Sequence, residues 1–322
     1  MRVVFFGSGA FGMPTLRSLS EQHEVLAVIS QPDKPAGRKR LLTPTPISQW
    51  AIEHIPSTPL LRPENINEPS ALSQARGFEC DVWVIIAYGQ KLSEELLADR
   101  FAINLHASLL PRWRGAAPIN HAILAGDAVT GNSVIALASR MDAGVVFGQS
   151  ERSIEHTHTA GELHDALSQD GPELVARVLD EYRAGTLDSV EQDDSKVTIA
   201  PKLSKADGWI RLTDDADACR RRINGLSPWP AVTIEVRGEP LKVLRAKSFE
   251  GGSQQDGWKP AVLFECDHGL AIGCGSEVSP SGLLPLRVQA PGKKEIAWDD
   301  YARGKHLKAG DPVACRSEGA SC

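Results

Sequence analysis

Cysteine is sparse and its spacing carries no motif. The 322-residue chain holds six (Cys80, Cys219, Cys266, Cys274, Cys315 and Cys322), with no CxxC pair among them, which argues against both a disulfide framework and a zinc cage. They read as free thiols. Long apolar runs are missing too: the longest, Val82 to Tyr88, falls far short of the ~20 residues that span a bilayer. Met1 is followed at once by the strand-like Arg2-Val-Val-Phe-Phe6, so no leader is expected and the expected compartment is the cytoplasm. Net positive charge is absent, since 35 Lys and Arg face 41 Asp and Glu for a balance of −6, a poor starting point for a nucleic-acid binder. The balance is uneven, however. Residues 1–200 carry 17 basic against 25 acidic side chains, and residues 201–322 carry 18 against 16, which leaves room for a local basic face.

What is present is an ordinary soluble composition, 42% hydrophobic and 24% charged, long enough for two domains of ~150 residues each. Strand and helix signals alternate at first: Val3 to Phe6 a strand, Phe11 to Glu21 a helix with Pro14 in its first turn, Val25 to Ser30 a strand. A long loop, Gln31 to Pro46, follows, rich in Pro and Gly and carrying Lys34, Arg38, Lys39 and Arg40. Asp81 to Ala87 is apolar on both faces, as the centre of a parallel sheet requires, and Phe101 to Leu105 repeats the pattern. Ser133 to Ala138 and Val145 to Glu151 read as further strands. Thr159 and Glu162 have the spacing of a capping box opening a helix to about Arg183. The polar stretch Ala184 to Asp207 reads as a linker. Beyond it come one helix near Ala216 to Asn224 and five short β runs (Val232–Val236, Leu241–Ala246, Ala261–Phe264, Leu270–Ile272, Leu284–Val288), the pattern of a small barrel. Residues 316–322 are expected to be disordered.

Three motifs carry candidate chemistry. Gly7-Ser-Gly9-Ala-Phe-Gly12 follows a strand and opens a helix, as a dinucleotide fingerprint does, with Asp33 further on as a conceivable ribose acid. Asp33 lies inside the cationic loop rather than at a strand tip, and the glycines also serve a tight strand-to-helix turn. The second motif is Asn104-Leu-His106, whose two polar residues share one face of an extended chain. An amide beside an imidazole suits acyl transfer, one group to hold a developing oxyanion and one to handle protons. The third is Asp142 in Met-Asp-Ala-Gly144, a turn aspartate by its bland reading. His156, His158 and His164 lack a carboxylate at ligand spacing, so no metal is expected. Trp50, Trp83, Trp209, Trp229, Trp258 and Trp298 read as core or interface residues. Trp113, between Arg112 and Arg114, stands apart as a residue that could face substrate.

The run Asn104-x-His106-x-Ser-Leu-Leu-Pro111 with downstream Asp142 resembles the folate-dependent formyltransferases. The longer Leu-Leu-Pro-Arg-Trp-Arg-Gly-Ala-Ala-Pro-Ile is similar to the branch of that family acting on an aminoacyl-tRNA. So are Gln31-Pro-Asp-Lys-Pro-Ala-Gly37-Arg, Ala87-Tyr-Gly89, Lys202-Leu-Ser-Lys205, Ser227-Pro-Trp-Pro230 and Ala302-Arg-Gly-Lys-His-Leu-Lys-Ala-Gly310. The resemblance implies an α/β, Rossmann-like doubly wound catalytic domain (1–184), a linker (185–205) and an OB-like C-terminal β-barrel that binds tRNA (206–315). It implies transfer of formyl from 10-formyltetrahydrofolate to the α-amino group of methionine on initiator tRNA, with no metal and no NAD. No obligate protein partner is evident in the sequence, and a monomer is expected. By the same resemblance Asn104 and His106 bind the formyl oxygen and Asp142 tunes the imidazole. Ser108, Leu109, Leu110, Pro111, Tyr88 and Gly89 would line the folate pocket, and Lys34, Arg38, Lys39 and Arg40 would meet the tRNA. The chain departs from the family in having Ala143-Gly144-Val145 where Thr-Gly-Asp is common. A formyltransferase for a sugar amine or glycinamide ribotide remains open, as does an oxidoreductase using Gly7, Gly9 and Gly12.

Overall fold

The computed structural model describes residues 1–37, 40–250 and 257–315, so Arg38, Lys39 and the tail 316–322 lie outside the described residues. The chain divides into two compact units, the first formed by residues 1–115, 130–152 and 164–199, the second by 116–129, 153–163 and 200–322. Two segments inside the span expected for the first domain thus belong to the second unit.

The first unit is built on a seven-stranded sheet. Its strands are β1 (Arg2–Gly7), β2 (Glu24–Ile29), β5 (Leu60–Leu61), β6 (Val82–Ile86), β7 (Ala102–His106), β8 (Val129–Ala136) and β9 (Val146–Ser153), while β3 (Lys34–Ala36) and β4 (Leu41–Thr43) form a separate hairpin. The spatial order is β9-β8-β7-β6-β1-β2-β5. Strands β1, β2, β5, β6 and β7 pair in parallel, and β8 runs antiparallel to β7. All five residues of β6 are buried, as a strand covered on both faces must be. The chain lays β2 on one side of β1 and β6 on the other. The strand order therefore reverses between β1 and β6, where doubly wound sheets open their ligand crevice.

The stretch from Gln31 to Pro46 is not the plain loop expected. Lys34 pairs with Thr43 and Ala36 with Leu41, and Pro46 opens the helix Pro46–His54. Thr45 caps that helix by accepting from Ser48 N at 3.1 Å, a contact of the kind worth ~1 kcal/mol. The first helix also starts later than expected, because Ala10–Gly12 forms a 3-10 turn ahead of Met13–Gln22.

The second unit holds the strands β10 (Val232–Val236), β11 (Glu239–Glu250), β12 (Leu263–Cys266), β13 (Gly269–Gly275), β14 (Pro280–Gln289) and β15 (Val313–Cys315). They follow the antiparallel order β12-β13-β14-β11-β10-β15. A bridge between Val262 and Pro312 then joins the two ends of that order, closing the sheet on itself as a small barrel. The long strand β11 shifts register on both sides of Arg245, which bends it. Asn224, fully buried on the helix Ala216–Gly225, donates to Ala246 O at 3.0 Å and accepts from Ala246 N at 2.9 Å. One amide side chain thus supplies both hydrogen bonds of a backbone unit at the bend. The expected β runs at 270–272 and 284–288 are shorter than the strands Gly269–Gly275 and Pro280–Gln289 that contain them. Glycine and proline occupy the ends of those strands, where tertiary pairing overrides weak local propensity.

Candidate active site

Strand β7 ends on His106, and its register is set on both sides, with Asn104 opposite Ile85 of β6 and Ile135 of β8, and His106 opposite Ser133. Asn104 and His106, two apart, share a face. Asp142 sits in the turn joining β8 to β9 with φ of 52°, a left-handed backbone that costs a non-glycine residue on the order of 1 kcal/mol. Three hydrogen bonds hold it there. Gly115 N donates to Asp142 Oδ2 at 2.9 Å, and Gln192 Nε2 donates to the carbonyls of Asp142 and Gly144, each at 2.8 Å.

The same carboxylate oxygen lies 3.6 Å from His106 Nδ1, with side chains 8% and 15% exposed for His106 and Asp142. The opposite ring nitrogen, Nε2, is 2.9 Å from Trp113 O. A carbonyl only accepts, so Nε2 carries a hydrogen in this contact and Nδ1 is the nitrogen turned to the carboxylate. A proton taken up at Nδ1 would stand beside a largely buried carboxylate whose charge favours it, an arrangement suited to taking and returning protons. Two of the three residues expected to be catalytic are therefore brought together, and the third stands two positions back on the same strand.

The Ser108–Pro111 segment is tightly tied. Ser108 Oγ donates to Arg112 O at 2.6 Å, Ser133 Oγ donates to Ser108 O at 2.6 Å, and Leu110 N donates to Ser133 Oγ at 3.1 Å. Gln149 Nε2 donates to both Leu110 O and Ser133 Oγ. Much of this segment's polar chemistry is spent on its own shape. Tyr88 and Gly89 instead line a cavity of about 370 Å³ with Ser8, Gln31, Lys34 and Thr45, at the ends of β1, β2 and β6 where the strand order reverses. Lys34, expected from sequence to meet tRNA, thus shares a cavity with two residues expected to meet folate. It donates to Gln31 Oε1 at 3.0 Å. Tyr88 is buried, its hydroxyl has no hydrogen-bond partner among the described residues, and burial pushes its ionisation well above the ordinary phenol value.

The Gly7–Gly12 turn is shaped by packing. A Cβ on Gly7 would lie 2.5 Å from the Phe5 ring, and one on Gly12 would lie 3.1 Å from the same ring and 3.2 Å from Ile86. The Ser8 and Gly9 amides, which a dinucleotide fingerprint turns toward a pyrophosphate, both donate to Ala87 O, at 3.2 and 3.3 Å. Asp33 is held by Arg62 at 2.7 Å. The glycines, the amides and the acid each have a partner within the protein.

Two features lie outside the site residues expected from sequence. A second cavity, about 610 Å³, is lined by Leu92, Ser93, Leu97, Leu137 and Ser139 among others, from segments leaving β6 and β8, the two neighbours of β7, and by Asn67 from the segment after β5. The other feature is Arg114, buried at 6% exposure and bonded to Gln192 Oε1 at 2.9 Å and Asp194 Oδ1 at 3.2 Å. Hydrogen bonding and charge from Arg140, then Arg114, hold the Asp194 carboxyl below its ordinary value. Apolar loop residues and a polar linker have no periodicity to mark them. Trp113 is half-buried, with the Arg112 guanidinium 4.6 Å over its ring. Of the other tryptophans, Trp83 and Trp298 are fully buried and Trp229 is 52% exposed. His156 sits 3.5 Å from Asp217, His158 Nδ1 accepts from Glu155 N, and His164 lies beside Asp165.

A doubly wound sheet with this histidine–aspartate pair at a strand end has specific kin. Residues 1–179 match the formyl transferase family and residues 202–306 match the formyl transferase C-terminal domain, so the chain belongs to the formyl transferase family and is a formyltransferase enzyme of Rossmann-like α/β fold with an OB-like barrel. Among its relatives is the methionyl-tRNA formyltransferase of Methylococcus capsulatus, 37% identical over 313 residues and covering 96% of this chain and 98% of that one. That of Bacillus subtilis is 35% identical over 321 residues, covering 98% and 99%. Among solved structures, the sugar 3N-formyl transferase WlaRD, determined in the presence of dTDP and 5-N-formyl-THF, superposes with a TM-score of 0.65 at 12% identity over 89% of this chain and 98% of that one, a likeness of fold.

Proposed function

We propose that the chain transfers a formyl group from 10-formyltetrahydrofolate to the α-amino group of methionine esterified to initiator tRNA. The observation that carries this reading is the His106–Asp142 pair, held at 3.6 Å at the end of β7, in a chain related over nearly its whole length to enzymes named for that reaction. The folate supplies an activated formyl carbon and an amine leaving group. Everything else falls to this chain's residues. Asn104 and His106, the latter by giving up its bond to Trp113 O, are assigned to the formyl oxygen, where charge grows and a preorganised donor is worth roughly 3 kcal/mol. His106 holds and moves the proton at Nδ1, with Asp142 as its partner and orienting group. The incoming amine is itself the nucleophile, so no residue needs to form a covalent bond with the formyl group.

The folate is assigned to the ground between the Tyr88–Gly89 turn, the Ser108–Pro111 turn and the segments of Leu92–Leu97 and Leu137–Ser139. The fit is one of size and lining: the cavity of about 370 Å³ that holds Tyr88 and Gly89 and the one of about 610 Å³, which none of the residues expected to meet folate lines, both fall within the ~300–1,000 Å³ of small-molecule sites, which pair apolar walls with a few polar groups, as Leu92, Leu97 and Leu137 do with Asn67, Ser93 and Ser139. The expected compartment is the cytoplasm. Among the described residues no helix is long and apolar enough to cross a membrane.

The test is formyl transfer by the purified chain to initiator methionyl-tRNA, with elongator methionyl-tRNA, a sugar amine and glycinamide ribotide as parallel acceptors. Turnover on the initiator acceptor at least ~10²-fold above the others is expected, the discrimination that a site built to bond its substrate's polar groups reaches. Preference for a small amine would overturn the acceptor assignment. The internal partners of the Gly7–Gly12 turn argue against a nicotinamide site, and calorimetry showing micromolar NAD or NADP binding would reopen it.

A further inference from the structure

The segment Val190–Ile199 holds no residue that pattern or motif marks, yet it grips both stretches of chain that build the His106–Asp142 pair. Val190 exchanges two backbone hydrogen bonds with Val146, each at 2.9 Å. Thr198 accepts from Trp113 N through its hydroxyl and from Arg114 N through its carbonyl, both at 2.9 Å. Those contacts fix the peptide whose carbonyl meets His106 Nε2.

Gln192 does more, because it spans the two stretches with one side chain. Its Nε2 donates to Asp142 O and Gly144 O, and its Oε1 accepts from Arg114 Nε. Both amide hydrogens and the amide oxygen are used. The orientation is forced: flipped, the amide would turn oxygen against two carbonyls and NH₂ against a guanidinium N–H. Glutamate lacks the donors, lysine the acceptor, and methionine both. The Asp142 carbonyl it holds belongs to a residue with φ of 52°, a backbone that relaxes unless its peptides are tied. From the residue after Arg114, Gly115 N reaches the Asp142 carboxylate. Gln192 therefore links the backbone of Asp142 to the Arg114–Gly115 stretch that steadies its side chain.

We infer that Gln192 is a positioning residue for formyl transfer, which holds Asp142 in register with His106 and touches neither substrate. The inference rests on the catalytic reading above for its kinetic consequence and on geometry alone for its structural one. In Gln192→Met, which keeps bulk, and Gln192→Glu, which keeps only the acceptor, kcat should fall about 10- to 100-fold, the size of effect a ~1 Å displacement at a reacting centre produces. KM for folate donor and for methionyl-tRNA should stay within about 3-fold, since uniform binding is untouched. Added to Asp142→Asn, the Gln192→Met change should cost nothing more, because residues acting through one another are not additive.

A rise in KM at unchanged kcat, or losses that multiply in the double variant, would overturn the inference. A readout independent of turnover separates it from the catalytic reading. With ¹⁵N-histidine labelling of the full chain, the His106 Nδ1 resonance should move in Gln192→Glu and stay in Lys247→Met, a change at a lysine far along the sequence. An unmoved His106 resonance in a folded Gln192→Glu protein overturns the inference even if the wild type formylates methionyl-tRNA. A moved resonance sustains it even if the wild type proves to use another acceptor.

Discussion

A methyl group on Gly144 would lie 1.9 Å from the carbonyl oxygen of Ala136, so the turn carrying Asp142 closes on β8 only with glycine at that position. Gly144→Ala must push Ala136 and the turn apart, and overpacking of this kind costs ~1–3 kcal/mol. The displaced turn carries Asp142 with it. A lower melting temperature together with at least a ~10-fold fall in kcat is expected. Loss of stability with wild-type kcat would show that Asp142 keeps its place without the glycine.

Much of this was open to sequence reasoning, and the rest was not for identifiable reasons. The apolar, β-branched run at Val82–Ile86 announces a central strand because both of its faces are covered, and the Thr159–Glu162 box is a local contact between near neighbours, present as Glu162 Oε2 accepting from Thr159 N at 3.0 Å. His106 and Asp142 could each be picked out, but their meeting could not be derived from spacing, since it depends on how β8 returns beside β7. Gln192 left no trace at all. A glutamine in a polar stretch reads as solvated, and only the buried Arg114 beside it, invisible as buried in sequence, gives it a task.

Removing each residue of the proposed catalytic set separates their roles. Asn104→Ala, His106→Ala and Asp142→Ala should each lower kcat by ~10²-fold or more, while circular dichroism and methionyl-tRNA affinity change little. His106→Ala with full turnover at saturating substrates would remove the imidazole from the mechanism.

Asp194 gives the linker a pH signature. Arg140 first, then Arg114, lowers its folded carboxyl value below the ordinary 3.8. A group depressed on folding stabilises the native state fully above its unfolded value, and that contribution is lost as pH falls through the folded one. The melting temperature of wild type should therefore exceed that of Asp194→Asn at neutral pH, and the gap should close as the pH drops below 3.8. A gap that persists unchanged in acid would assign the effect to shape rather than charge.

The cationic run after β2 provides the last test. An acidic chain that binds a polyanion needs a local basic feature, and Lys34, Arg38, Lys39 and Arg40 form the densest one in the sequence. Arg38 and Lys39 lie outside the described residues. On either side of them the chain is a β3–β4 hairpin, with Arg40 exposed and Leu41 and Leu42 at 64% and 70% exposure. Neutralising Arg38, Lys39 and Arg40 together should weaken methionyl-tRNA binding and flatten its salt dependence, by ~0.7 to 0.9 in log–log slope for each phosphate that the variant no longer neutralises. Donor affinity should not change in that variant. Lys34 differs, because its side chain lines the cavity shared with Tyr88 and Gly89, so Lys34→Ala should weaken donor binding as well. Titrations of tRNA across a salt series and of donor at fixed salt read both effects. An unchanged slope in the triple variant would leave those three residues as solvated charge, and unchanged donor binding in Lys34→Ala would detach the cavity from the donor.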